Sequence, residues 1–113
     1  MKLRNELLID LYDCKKKFTK NNIKEYVDRL CKLIKMKRHG KTIFFLDSKT
    51  KNKNLKGISA FQFLKTSSIV LHSFQQFNSC YIDVFSCKKF DFEKAVNFSR
   101  NFFKSKKIKV REI

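Results

Sequence analysis

With 113 residues, 42% of them hydrophobic and 33% charged, the chain can build one core but not two, and it is too apolar to stay disordered. Its 27 basic residues against 10 acidic ones leave a net charge of +17. The lysines run through every segment, with short clusters at Lys15-Lys16-Lys17, between Lys35 and Lys41, and between Lys104 and Lys109. This reads as a solvated lysine coat rather than as the patterned basic patch of a nucleic-acid partner.

In chain order, LLIDLY (Leu7 to Tyr12) suits an opening strand. Asn22 with Glu25 three positions on predicts a helix start of the capping-box kind. Ile23, Tyr26, Val27, Leu30, Leu33 and Ile34 follow at helical spacing, and the helix is expected to end near His39-Gly40. TIFFL (Thr42 to Leu46) reads as a strand, and the polar DSKTKNKNLKG after it as a loop ending at Gly57. Ser59 to Leu64, Ile69 to Phe74 and Cys80 to Phe85 are three further strands between polar breaks. Asp91 can cap a second helix with Phe92, Ala95, Val96, Ser99 and Phe103 on one face, and IKVREI closes the chain as a strand. The expected fold is a single α/β (α+β) domain over residues 1–113, in the order βαββββαβ. It is a two-layer sandwich whose mostly antiparallel sheet carries both helices on one face. The other sheet face would still be apolar, which suits a second subunit.

The cysteines, Cys14, Cys31, Cys80 and Cys87, form no CxxC pair and have no histidines at metal spacing, so no metal site is expected. The N-terminus lacks a signal-peptide pattern, and no stretch nears the roughly 20 apolar residues of a membrane span. A reduced, cytoplasmic protein is the expectation.

The segment KTSSIVLHSFQQF, Lys65 to Phe77, sets two serines before a strand that carries a lone histidine, His72. Taken singly, the serines fit turn chemistry, and the histidine and Cys87 fit structural roles. As a whole, the run Gly57 to Cys87 resembles the prokaryotic S-adenosylmethionine decarboxylases, which make a pyruvoyl cofactor from an internal serine. That family has a Gly-hydrophobic-Ser-Gly/Ala segment, then a Glu-Ser cleavage site, a histidine five residues after the serine, and an Ile-Asp-hydrophobic-Phe-Thr/Ser-Cys segment. Gly57-Ile58-Ser59-Ala60, Ser67, His72 and Ile82-Asp83-Val84-Phe85-Ser86-Cys87 match these in order. LLIDLYDC (Leu7 to Cys14) resembles the family's first strand.

The resemblance implies self-cleavage between Thr66 and Ser67. The Ser67 hydroxyl would attack the preceding carbonyl, and elimination and hydrolysis would leave a pyruvoyl group. Ser59 and His72 would assist, His72 by removing the proton for elimination. The ketone would then form a Schiff base with the substrate's amine and act as an electron sink, while Cys87 returns a proton to the α-carbon. Because side chains alternate along a strand, Ser67 is expected in the turn before its strand, with Ser68, on His72's face, as a second candidate.

The pattern also departs from the family. Thr66 stands for the usual glutamate, and Ser68 for a histidine. Ser73-Phe74-Gln75-Gln76 replaces Thr-Trp-Pro-Glu, so that Phe74 would stack on adenine and the uncharged Gln76 would meet the ribose hydroxyls. No aromatic lies among Lys51 to Lys56, where the family has a second adenine-facing ring. The expected activity is S-adenosylmethionine decarboxylation for spermidine synthesis, in a homodimer. The alternatives are the same chemistry on ornithine or arginine, and a non-processing homologue that acts by binding.

Overall fold

A computed structural model describes residues 3–47 and 56–113; the expected loop lies, over residues 48–55, outside the described residues. The elements are β1 (Asn5–Cys14), α1 (Lys20–Leu33), β2 (Ile43–Asp47), β3 (Gly57–Leu64), β4 (Ser67–Phe74), β5 (Ser79–Ser86), α2 (Phe92–Phe103) and β6 (Ser105–Glu112). A short 3-10 turn, Gln75–Phe77, links β4 to β5. The six strands form one sheet in the order β2-β3-β4-β5-β1-β6, and every pairing is antiparallel. The expected order and two-layer arrangement are therefore those of the molecule.

Strand alternation builds the core. Leu7, Ile9 and Leu11 of β1, Ile69 and Leu71 of β4, and Cys80, Ile82 and Val84 of β5 point to the helix side and are buried. They meet Ile23, Tyr26, Val27 and Leu30 of α1 and Ala95, Phe102 and Phe103 of α2 in one cluster. The two helices are also tied by a 2.6 Å hydrogen bond between the hydroxyls of Tyr26 and Ser99.

Both ends of α1 differ from expectation. Thr19, not Asn22, is the N-cap: its hydroxyl accepts the Asn22 N–H at 3.0 Å, while Asn22 Nδ2 donates to the Lys17 carbonyl at 2.9 Å. Thus Asn22 braces the first turn from inside the helix. At the other end the apolar stripe runs out at Ile34, and Lys35 turns left-handed at φ 58°. Gly40, also left-handed at φ 82°, lies in the connection to β2 rather than at the helix end.

The second sheet face carries Ser59, Phe61 and Phe63 of β3, Val70, His72 and Phe74 of β4, and Tyr81, Asp83 and Phe85 of β5. Neither helix covers it, and Phe45, Phe63 and Tyr81 are exposed there. No helix among the described residues is long and apolar enough to cross a membrane.

Candidate active site

The β3–β4 hairpin is closed by two residues, Lys65 and Thr66, between the paired Leu64 and Ser67. Thr66 sits at φ 59°. That left-handed region is an outlier for a β-branched residue, at a cost on the order of 1–3 kcal/mol. Its hydroxyl donates to the Lys65 carbonyl at 2.6 Å, and its own carbonyl accepts the Cys87 N–H at 3.1 Å.

Ser67 is not in the turn, as the sequence led one to expect, but is the first residue of β4, paired with both Leu64 and Ser86. The correction has a local cause: the left-handed Thr66 reverses the chain in two residues, so pairing resumes at once. The Ser67 side chain therefore faces the helix side, buried, and donates to Ser86 Oγ at 2.7 Å and more weakly to the Lys65 carbonyl at 3.4 Å. Ser68 lies on the opposite face, paired with Phe63 and Phe85.

Ser59 and His72 are cross-strand partners on the uncovered face, and Ser59 Oγ lies 2.7 Å from His72 Nδ1. The structure brings these two together, but not to Ser67. Five residues of strand, roughly 16 Å at 3.3 Å each, and the thickness of the sheet intervene. Phe74 shares the His72 face, half-buried, with its ring edge-on to Tyr81 at 5.6 Å. Gln76 is exposed in the 3-10 turn. Cys87 is exposed at the end of β5, across from Thr66, whereas Cys14, Cys31 and Cys80 are buried. Burial pushes the Cys31 thiol up to about 11 and raises Cys80 as well, whereas the hydrogen bond from Cys80 lowers Cys14; exposure is what sets Cys87 apart from these three.

Two residues of the matched segment were given no role in the sequence reading. Ser86 is fully buried against Ser67. Asp83 lines a depression of about 210 Å³ on the uncovered face with Leu8, Asp10, Val70, His72 and Arg111. Burial, followed by the adjacent Glu6 carboxyl, raises Asp83 to about 6, and its Oδ1 has no hydrogen-bond partner among the described residues. Both belong to the matched segment IDVFSC, and that match was the sequence signal available for them.

The molecule is thus a two-layer antiparallel α/β protein in which a strained Thr-Ser junction, a thiol and a Ser-His pair lie along one hairpin system. Residues 5–113 match the S-adenosylmethionine decarboxylase family, and the chain belongs to it. Its fold is similar to the crystal structure of the adenosylmethionine decarboxylase from Aquifex aeolicus VF5, with a TM-score of 0.79 at 17% identity, over 98% of this chain and 88% of that one. No curated protein matches the sequence.

Proposed function

We propose that the chain is an S-adenosylmethionine decarboxylase that generates its own pyruvoyl group by breaking the Thr66–Ser67 bond, and that it supplies the aminopropyl donor for spermidine synthesis. One observation carries this reading. The peptide bond that must break follows a β-branched residue held left-handed, and its carbonyl oxygen is already engaged by a backbone N–H. An N–H in that place favours the negative charge that develops on the oxygen during attack.

The residues fit the group. Ser67 sits where a short turn can release it as a new chain end, and the exposed Cys87 faces that turn. The pyruvoyl ketone supplies an electron sink for the bond broken as carbon dioxide leaves. Cys87 holds and returns the proton that the substrate's α-carbon needs. Ser59 and His72 act as one hydrogen-bonded unit that carries the proton removed in the elimination step. Phe74 offers its ring to the adenine, and Gln76 offers hydrogen bonds to the ribose. A second copy of the chain covers the uncovered sheet face, where Phe45, Phe63 and Tyr81 are exposed.

The deciding experiment is the intact mass of the purified protein under denaturing, reducing conditions. Two fragments, residues 1–66 and residues 67–113 with a borohydride-reducible end, are the expected result. A single chain that stays whole for days overturns the reading. Heat stabilisation by an S-adenosylmethionine analogue, absent with ornithine or arginine, is expected from the substrate assignment.

A further inference from the structure

We infer that Ser86 positions Ser67 for the first step of self-cleavage, an inference that rests on the proposed cleavage between Thr66 and Ser67. Ser67 Oγ donates its proton to Ser86 Oγ at 2.7 Å. The same Ser86 oxygen accepts the Lys88 N–H at 2.9 Å, so a backbone group fixes it. Its main chain is held too, since the Ser86 carbonyl accepts Asn5 Nδ2 at 3.4 Å. Ser86 is 0% exposed and Ser67 7%, so water does not compete for either hydroxyl.

With its hydrogen committed to Ser86, the Ser67 oxygen keeps its lone pairs for the Thr66 carbonyl carbon. The next residue, Cys87, gives its N–H to that carbonyl's oxygen at 3.1 Å. The dipeptide Ser86-Cys87 therefore grips the scissile bond from both ends, the nucleophile through a side chain and the oxygen through the backbone. In the step itself the bond from Ser67 Oγ to the Thr66 carbonyl carbon forms and the bond from that carbon to the Ser67 nitrogen breaks. The proton that leaves Oγ ends on that nitrogen, so no outside reactant is consumed. His72 does not hold Ser67 in this way, because it lies on the other face of the sheet.

The test compares wild type, Ser86→Ala, Ser86→Thr, Ser86→Cys and His72→Ala, each followed from the moment of purification by intact mass with and without hydroxylamine, which cleaves esters but not peptide bonds. Loss of orientation in Ser86→Ala is expected to slow fragment formation about 100-fold. Hydroxylamine should not restore the rate, because the ester has not formed. Ser86→Thr keeps the hydroxyl and should cleave within a few-fold of wild type. His72→Ala should accumulate ester and be cut quickly by hydroxylamine. Should Ser86→Ala fail to fold, Ser86→Cys, of similar size but a weaker acceptor, carries the same expectation. Folded Ser86→Ala or Ser86→Cys that cleaves at the wild-type rate overturns the role of Ser86 and leaves the enzyme reading standing. A wild-type chain that never cleaves overturns both.

Discussion

A side chain at position 57 has nowhere to go. A methyl group on Gly57 would lie 1.7 Å from the Ser73 carbonyl oxygen and 2.8 Å from its carbon, both backbone atoms of the neighbouring strand. For Gly57→Ala to fold, β3 and β4 must part locally by well over an ångström. Three hydrogen bonds stitch the strands there. Ser73 Oγ donates to the Ile58 carbonyl at 2.8 Å and accepts the Ile58 N–H at 3.0 Å, and the Gln75 N–H reaches the Lys56 carbonyl at 3.2 Å. At about 1 kcal/mol each, their loss costs about 3 kcal/mol, at the upper end of what overpacking costs in a close-packed core. With a urea slope of about 2 kcal/mol per M, the unfolding midpoint should fall by about 1.5 M. Gly40→Ala is the control. Gly40 has φ 82° but nothing within 4 Å of an added methyl, so only the left-handed backbone is penalised, by about 1–2 kcal/mol. A Gly57→Ala protein that unfolds at the same urea concentration as Gly40→Ala would refute the steric reasoning.

Other outcomes follow from single contacts. Asp83 has a folded value of about 6, above its ordinary 3.8, so its contribution to stability is full at pH below about 4 and is lost as pH rises through about 6. Asp83→Asn should flatten that decline in a pH series of urea midpoints, and an unchanged slope would speak against it. Tyr26→Phe removes the hydroxyl bonded to Ser99, but Ser99 Oγ still donates to the Ala95 carbonyl at 2.7 Å, so a loss of about 1 kcal/mol is expected in thermal unfolding. Thr19→Ala should cost about 1 kcal/mol and Thr19→Gly only a few tenths, if Thr19 is the cap of α1. Cys87→Ala keeps the backbone N–H at the Thr66 carbonyl, so cleavage should proceed while decarboxylation falls about 100-fold or more. A Cys87→Ala chain that fails to cleave, or that decarboxylates normally, would count against the role of the thiol.

The element order was legible because each strand and helix declares its period: Leu7, Ile9 and Leu11 alternate, and Ile23, Tyr26, Val27 and Leu30 recur at helical spacing. The ends of α1 were not, since Asn22 has the chemistry of a cap and is used as a brace, while Lys35 takes the left-handed turn that glycine usually takes. The same reason hid the hairpin. Propensity gives no hint that Thr66 is left-handed, and without that the phase of β4 cannot be fixed. Ser86 was read only as part of the motif, for another cause: its contact is with a neighbour 19 residues away that only strand pairing brings to 2.7 Å. The motif identified Ser59, Ser67, His72 and Cys87, and strand alternation already set Ser67 and His72 on opposite faces of any regular strand; the structure adds that β4 does run regularly from Ser67.

That separation has a physical consequence for the order of the reaction. The Thr66 strain, on the order of 1–3 kcal/mol, is tolerated because Ser67 is locked into the sheet between Leu64 and Ser86. While the chain is intact, the groups in contact with the junction are Ser86 and the Cys87 N–H, which suits attack and charge stabilisation but not removal of a proton from carbon. Once the acyl group has moved to oxygen, Thr66 is joined to residue 67 through Oγ rather than the backbone nitrogen, and the longer ester link relaxes the two-residue turn that the amide enforced. Elimination at the α-carbon is the step that breaks this tether, so under the proposed cleavage residue 67 must reach the face that carries His72, Ser59 and Phe74 while it is still held by the ester. On this reading the unprocessed fold is built for the acyl shift alone, and the Ser59–His72 pair acts only after the first bond has changed.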